Sequence, residues 1–134
     1  MASFLKWGRR MTIGEAIRKT DELQPNTFSM EEKIGWLRQL DQELWREVVL
    51  THEDSEGLTE PDYREDSEDD TVLLVQGPYE SIYIHWLQSR MDYALAEYGR
   101  YNNSNAAFEA DRVAWRMHYN RSHMPVQAAR GRYF

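Results

Sequence analysis

The chain contains no cysteine, which excludes disulfide bonds and thiolate metal sites and gives no reason to expect an oxidising compartment. No stretch approaches the ~20 apolar residues that a membrane-spanning helix needs. Residues 1–10 contain no apolar stretch of signal-peptide length. The sequence therefore predicts a protein without a membrane span, which works in the cytoplasm or in a particle assembled there.

Glycine and proline are few and scattered, and no phosphate-binding loop is present. None of the four histidines has an i, i+4 partner of the kind used in helical metal sites. A calcium loop starting at Asp54 fails, because Leu58 and Thr59 stand where a ligand and a glycine are needed. The carboxylates cluster where the chain is most hydrophilic, so no acid–base pair or nucleophile can be proposed. We therefore expect no catalytic residues, no metal, no cofactor and no enzymatic activity.

Charge is strongly segregated along the chain. Residues 53–70 hold ten carboxylates and one arginine, a balance of −9, so the rest of the chain sums to +2 within the net charge of −7. From Arg112 onward there are five arginines and no carboxylate. Aromatic residues make up 13% of the chain, more than is usual for a disordered protein, so the body should fold. This layout favours a protein that contacts surfaces over one that turns over a small molecule.

Apolar periodicity and capping residues predict an all-α fold. Thr12 with Glu15 and Ser29 with Glu32 have the spacing of capping boxes, which mark helix starts. Four helices are predicted, at about 12–23, 30–51, 78–101 and 105–122. The break between the last two is placed at Asn102-Asn103-Ser104. The third helix is apolar around much of its circumference, which is typical of a central helix packed on both sides.

The remaining segments complete the predicted four-helix small bundle. Residues 53–70 read as a long acidic loop, mobile unless a partner orders it, with Leu58 and Tyr63 as its only apolar anchors. Residues 71–75 form a short β-branched run that needs a partner strand, within this chain or from a neighbouring subunit. The predicted organisation is an N-terminal arm at 1–10, a single helical domain at 11–124 and a basic C-terminal tail at 125–134.

Three sequence motifs carry a resemblance that covers about residues 11–125. They are E-K-I-x-W-L-x-x-L-D at Glu32–Asp41, L-L-V-x-x-P-Y at Leu73–Tyr79 and E-x-x-R-Y-N-N-S at Glu97–Ser104. With these motifs the chain resembles the head–tail connector (adaptor, head-completion) proteins of tailed phages and prophages of Gram-positive bacteria. The extension at 1–10 and the highly charged acidic loop depart from that family's pattern.

The resemblance implies a mainly helical structural protein of the virion, assembled in the bacterial host cytoplasm. Such proteins form a ring, typically of twelve subunits, beneath the portal protein, and they bridge it to a tail-side stopper or tail component. Double-stranded DNA passes through the ring without sequence-specific binding. The family brings no catalytic residues. Opposite charges on one subunit also suit head-to-tail contacts, which can close into rings.

Two sets of residues are candidates for these contacts. The portal-binding candidates, by analogy with adaptor C-terminal segments, are Arg112, Arg116, Arg121, Arg130, Arg132, Tyr133 and Phe134. The candidates for a surface facing the DNA channel or the tail-side partner are Glu60, Asp62, Glu65, Asp66, Glu68, Asp69 and Asp70.

Two other classes of protein compete with this interpretation. The first is a small acidic regulator or DNA mimic that binds a host protein, and it requires carboxylates fixed on an ordered surface. The position of the carboxylates in a loop containing Gly57 and Pro61 argues against it. The second is a stand-alone helical adaptor between proteins, unrelated to virions, which a monomer without self-association would favour.

Overall fold

The structure, a computed structural model, describes residues 10–52 and 57–123, and these confirm the all-α prediction. Four helices are present: α1 (Ile13–Leu23), α2 (Met30–Glu47), α3 (Ser81–Ala94) and α4 (Tyr98–Ser122). Short 3-10 helices follow α2 at Val49–Thr51 and precede α3 at Gly77–Tyr79. The predicted arm, apart from Arg10, and the predicted basic tail at 125–134 lie outside the described residues. In the described ranges no helix is long and apolar enough to cross a membrane.

The predicted caps start α1 and α2. The Thr12 hydroxyl accepts a hydrogen bond from the Glu15 amide at 3.2 Å. At α2 the capping box is reciprocal, since Ser29 Oγ accepts from the Glu32 amide and the Glu32 carboxylate accepts from the Ser29 amide. α2 ends at Glu47, earlier than predicted, because the chain tightens into the following 3-10 turn.

The predicted break between the last two helices is wrong. α3 ends at Ala94, and Asn102-Asn103-Ser104 lie inside α4. The true turn is a Schellman motif, in which the Glu97 amide donates to the Asp92 carbonyl and the Ala96 amide donates to the Tyr93 carbonyl. Ala96 takes the left-handed conformation with φ of 57°, where glycine is the usual residue. The chain thus reverses at an alanine, which carries no sequence mark of a turn.

Ser104 shows why the polar run continues the helix. Its hydroxyl donates to the Asp92 carboxylate at 3.0 Å and lies near the Arg100 and Tyr101 carbonyls. Asp92 is buried and also accepts from the Gln24 side chain at 2.9 Å. The helix propensities of Asn and Ser are only a few tenths of a kcal/mol below those of good helix formers, so these tertiary bonds outweigh them.

α3 is the central helix, as its apolar circumference predicts. It packs against all three other helices, and Ile82, Tyr83 and Leu87 are almost fully buried. The indole N–H of Trp86 donates to the Trp36 carbonyl of α2 at 2.7 Å. By contrast, α4 buries only two residues along its length, Phe108 and Trp115. The other residues of this 25-residue helix are exposed or only partly buried.

The extended run at 71–75 finds its partner within this chain. The Ile13 amide donates to the Thr71 carbonyl at 2.9 Å, and the Leu73 amide donates to the Met11 carbonyl at 3.0 Å. These bonds flank one antiparallel bridge between Thr12 and Val72. The open question of its pairing is thus answered without a neighbouring subunit, and the segment joins the entry into α1 to the core.

Candidate partner-binding surfaces

A buried carboxylate, Asp41 of α2, binds both the predicted acidic loop and the extended run that follows it. Its Oδ2 accepts from the Tyr63 hydroxyl at 2.6 Å and from the Leu74 amide at 3.0 Å. Its Oδ1 accepts from the Tyr83 hydroxyl of α3 at 2.8 Å. The Tyr83 oxygen in turn accepts from the Val75 amide at 2.6 Å. One carboxylate therefore connects α2, α3, the predicted acidic loop at Tyr63 and the extended run at 71–75.

The ionisation of this cluster follows from its burial. Asp41 is fully buried, and burial raises its pKa to about 6 even though the bonds from Tyr63, Leu74 and Tyr83 lower it. Burial also raises the pKa of Tyr63 and Tyr83, and the nearby Asp41 charge raises both further. Both phenols therefore keep their protons at neutral pH and remain available as donors to the carboxylate.

The acidic segment, defined here as residues 57–70, lies along α2. The side chains of Arg38, Gln42 and Arg46, four residues apart on one face of α2, point towards it. Arg38 donates to the Tyr63 carbonyl at 3.2 Å, Gln42 donates to the Pro61 carbonyl at 3.0 Å and Arg46 pairs with Glu60 at 3.1 Å. The partners run in reverse order, so the segment is antiparallel to α2.

The far end of the acidic segment is fixed to the start of α1. The Gly14 amide donates to the Asp69 carbonyl at 2.8 Å. A Cβ placed on Gly14 would lie 2.8 Å from Asp69 Cβ and 3.0 Å from the Asp69 carbonyl oxygen. Glycine is therefore required here for the close approach of the two backbones, and not for an unusual φ.

These contacts change the expectation of a mobile acidic loop. Within the described part, the segment is anchored by Tyr63, as predicted, but Leu58 is 53% exposed and anchors nothing in the core. The main anchors are polar: Asp41, the α2 side chains and the backbone of α1. Residues 53–56 lie outside the described residues.

All seven predicted acidic candidates are exposed on this segment. Glu60 pairs with Arg46, and Asp62 pairs with Arg64 at 2.7 Å. Glu65 lies against Glu31 of α2, which raises the pKa of Glu65 through hydrogen bonding and charge repulsion. The remaining four have no ion-pair partner in the described ranges; they are Asp66, Glu68, Asp69 and Asp70.

An open groove of about 820 Å³ runs between this segment and the N-terminal half of α2. It is lined mainly by charged residues, together with Ser29, Gly35 and the apolar Ile34; the charged residues are Glu31, Glu32, Arg38, Arg64, Glu65 and Asp66. Its four carboxylates outnumber its two arginines, so the groove favours cationic groups over phosphate.

The arginine candidates at the other end of the chain differ in availability. Arg112 of α4 is partly buried and bridges Glu47 of α2, at 3.0 Å, and Glu109, at 2.9 Å. The hydrogen bond from Arg112 to Glu109 raises the pKa of this guanidinium. Arg116 and Arg121 are exposed on the C-terminal part of α4. Arg130, Arg132, Tyr133 and Phe134 lie outside the described residues.

Because Arg112 is used inside the fold, it is the least suited of the three described portal-binding candidates to contact a partner. Arg116 and Arg121 carry no such internal ion pair among the described residues, and the C-terminal end of a helix favours cationic side chains. We call these two residues the basic end of α4. The acidic segment lies against α2 through Arg38, Gln42 and Arg46, whereas the basic end lies on α4, so the two charged surfaces belong to different elements.

A third surface, which the sequence reasoning missed, lies at the turn between α3 and α4. We call it the aromatic corner; it consists of Trp86, Arg90, Tyr93, Tyr98 and Tyr101. The Tyr93 ring contacts those of Tyr98 and Tyr101, with centroids 6.0 and 5.3 Å apart. Tyr93 is 56% exposed and Tyr98 is 58% exposed, and Leu95 between them is 52% exposed. In a single helix over 78–101, Tyr93 and Tyr98 would lie on different faces. The turn at Ala96 is what brings their rings together.

Ser81, His85 and Asp111 lie close together but do not have the arrangement of a nucleophilic triad. His85 Nδ1 lies 2.6 Å from the Asp111 carboxylate, but the Ser81 hydroxyl donates to that same carboxylate oxygen. In a nucleophilic triad the serine would instead bond to the histidine. Among the described residues no group of three or more potential ligands could hold a metal ion.

Comparison with known proteins adds no relative. No family model matches the chain, and neither a curated protein nor a solved structure matches it.

Proposed function

We propose that this chain is a structural subunit of a phage head–tail connector. The resemblance over residues 11–125 supports the proposal, since its motifs supply the framework of the fold. The first motif ends at Asp41, which accepts a hydrogen bond from Leu74 of the second. The third motif contains Glu97 of the α3–α4 turn and Tyr101 of the aromatic corner.

The observation that carries the proposal is the separation of opposite charges on one small helical body. Seven exposed carboxylates lie on the acidic segment, and the exposed arginines of the basic end lie on the C-terminal part of α4. A subunit with two chemically different surfaces can bind a different partner with each, and head-to-tail contacts between copies close into a ring when the rotation permits.

In this proposal the two charged surfaces have separate tasks. The basic end of α4 and the residues after it bind the portal protein. The acidic segment faces the DNA channel or the tail-side stopper. Carboxylates along a channel repel phosphates, so DNA slides without being held. The ring holds about twelve subunits, as the resemblance implies, and belongs to the virion.

The first test is the mass of the particle by light scattering, over a wide concentration range, with and without the cognate portal ring. A ring-sized species or a stoichiometric complex with the portal is the expected result. A chain that stays monomeric and ignores the portal contradicts the proposal. A monomer that binds only when portal is present remains in agreement with it.

The C-terminal contact is tested by deleting residues 125–134. We expect portal attachment to be lost while the circular dichroism spectrum and urea midpoint stay unchanged. The matched comparison is Arg112→Gln, which should lower stability, because it breaks the Glu47 and Glu109 pairs, but leave attachment intact. Unchanged attachment after the deletion contradicts the assignment of the tail to the portal.

One observation favours the acidic regulator or DNA mimic as a second candidate. The described part of the acidic segment is held against α2 and α1, and its carboxylates are exposed on that fixed backbone. The argument that these carboxylates lie on an unanchored loop therefore no longer applies to residues 57–70. The test is whether a host protein bound by the immobilised chain is released by double-stranded DNA. This function is favoured over the connector if DNA releases the host protein and if neutralising the carboxylates abolishes binding of that host protein.

A further inference from the structure

Arg90 of α3 is a cation held in place without a counter-charge. Its guanidinium lies 4.5 Å from the centroid of the Trp86 ring and 5.9 Å from those of Tyr93 and Tyr101. Its Nε is buried and has no hydrogen-bond partner, and the described residues provide it with no ion pair. Nearby Arg100, by contrast, lies within 4 Å of the Asp92 and Glu97 carboxylates.

The surroundings of Arg90 are those of a protein contact. Tyrosine, tryptophan and arginine are the residues that most often dominate binding energy at interfaces. The rings restrict the guanidinium in advance, so less conformational entropy is lost when a carboxylate binds it. Tyr93, Leu95 and Tyr98 provide exposed apolar surface around it. A carboxylate-bearing protein surface fits this corner better than an apolar one.

The same chain carries a matching surface. Asp66, Glu68, Asp69 and Asp70 are exposed, have no ion-pair partner among the described residues and are concentrated within five consecutive residues. Asp69 is fixed by the bond from Gly14, so this cluster is presented on an ordered backbone. Arg90 and these carboxylates have complementary charge and belong to different surfaces, so contacts between copies can repeat from one subunit to the next.

We propose that the aromatic corner of one copy binds the acidic segment of a second copy, with Arg90 receiving a carboxylate from residues 66–70. This inference rests on the connector proposal and specifies the contact between neighbouring subunits. It differs from a contact through the basic end of α4, which then remains available to the portal. It uses residues 66–70 of the acidic segment, so that Glu60, Asp62 and Glu65 remain to face the DNA channel or the tail-side stopper.

The test compares two arginine substitutions in the full chain by sedimentation across a concentration range, alone and with portal rings. Arg90→Gln should weaken association between copies by roughly tenfold or more, as expected for a central interface arginine. Arg121→Gln removes the same charge from the basic end of α4 and gives the opposite expectation: it should weaken binding to portal rings but not association between copies without portal. Neutralising Asp69 and Asp70 to Asn should weaken association as Arg90→Gln does, without adding to its effect in the combined variant.

Cross-linking locates the contact directly, and the absence of native cysteine makes it unambiguous. Leu95→Cys and Asp69→Cys chains, the latter retaining Asp66, Glu68 and Asp70, are mixed with a bismaleimide at a concentration where the wild type associates, alone and on portal rings. A mixed dimer is expected. Met117→Cys with Asp69→Cys is the control, since Met117 is equally exposed but lies on α4. Preferential cross-linking through Met117, or none in either condition, overturns the inference.

Failure of this inference and failure of the connector proposal give different results. Portal binding that is unaffected by Arg90→Gln, without a Leu95–Asp69 cross-link, leaves the connector and removes this contact. Association through Arg90 in a chain that ignores portal leaves this contact and removes the connector. If Arg121→Gln abolishes association between copies and Arg90→Gln does not, the contact belongs to the basic end of α4.

Discussion

Asp41 is the residue on which the placement of the acidic segment depends most. Its carboxylate is fully buried, yet it accepts hydrogen bonds from Tyr63, Tyr83 and Leu74 and so is well compensated. Removing the carboxylate would leave donors from three different segments buried without an acceptor, which costs about 1–3 kcal/mol for each group. The cluster therefore makes the order of the acidic segment depend on the core.

The pKa of Asp41 gives a pH prediction. Because it is raised from 3.8 to about 6, the folded chain binds a proton between these values that the unfolded chain releases. The contribution of this group to stability is complete below pH 4 and is lost as the pH rises through 6, by about 3 kcal/mol. We therefore expect the difference in free energy of unfolding between the wild type and Asp41→Asn to change with pH. The wild-type value minus the variant value should fall by about 3 kcal/mol as the pH rises from 4 through 6.

Urea unfolding at several pH values checks this difference, and Asp62→Asn is the control. Asp62 is exposed and pairs only with Arg64, so its substitution should change stability by less than about 0.5 kcal/mol at every pH. A wild-type advantage that grows between pH 4 and 6 would have the opposite sign and would contradict the assignment of the raised pKa to Asp41.

The sequence did indicate that Asp41 is buried. Ile34, Leu37 and Leu44 form the apolar stripe of α2, and the interval of seven between Leu37 and Leu44 places Asp41 within that stripe. A carboxylate at a core position requires a buried partner. Tyr63 and Tyr83 could not be chosen as those partners, because their sequence separation from Asp41 is 22 and 42 residues.

At the scale of elements, the contact between the acidic segment and α1 depends on Gly14. Alanine normally favours a helix over glycine by up to ~1 kcal/mol, but a Cβ at Gly14 meets Asp69 at 2.8 Å. We expect Gly14→Ala to destabilise the fold or to displace residues 68–70, seen as faster proteolysis there. Gly35→Ala in α2 is the matched control, since nothing lies within 4 Å of its Cβ position. It should stabilise by about 0.5–1 kcal/mol, and equal effects of the two changes in thermal unfolding would contradict the close approach.

The turn between α3 and α4 provides a second element-scale prediction. Ala96 has a φ of 57°, which costs about 1 kcal/mol or more for a residue with a Cβ. We expect Ala96→Gly to raise the free energy of unfolding by about 0.5–1 kcal/mol. Ala94→Gly, two residues earlier in helical conformation, should lower it by a similar amount. Urea unfolding of both variants measures this, and a loss of stability in Ala96→Gly would place the turn elsewhere.

These elements also show where local reasoning succeeds. The starts of α1 and α2 were predictable, because a capping side chain acts within three residues of its partner amide. The α3–α4 turn was not, because Asn102-Asn103-Ser104 look like a break locally and Ala96 does not. Ser104 is stabilised inside α4 by Asp92 of α3, a contact that exists only after the two helices pack.

At the scale of the whole molecule, the acidic segment concentrates negative charges whose mutual repulsion opposes folding. Replacing Asp66, Glu68, Asp69 and Asp70 by Asn or Gln changes the net charge from −7 to −3, since four negative charges are removed. Because like charges repel, the neutralised variant should be more stable than the wild type at low salt, and the difference should shrink at high salt as screening increases. Urea unfolding at two salt concentrations measures this.

The control for that experiment is a second variant in which Glu22, Glu47 and Glu109 are replaced by Gln. These carboxylates already pair with Arg18 or Arg112, so their removal should lower stability. If both variants respond to salt in the same way, net charge alone decides the effect, and the concentration of charge on the acidic segment has no separate cost.

By itself the sequence determined the class of fold, the starts of the first two helices, the central position of α3 and the segregation of charge. These properties depend on composition and on periodicities within a few residues, and such interactions do not require the rest of the chain. The tertiary structure decided where the acidic segment lies, that residues 71–75 pair with Met11–Ile13, and that Arg90 is framed by three aromatic rings. The first two arrangements join residues far apart in sequence, whose contacts are selected only when the helices pack around Asp41 and α3. The third needs the turn at Ala96, which brings Tyr101 of α4 back to Arg90 of α3.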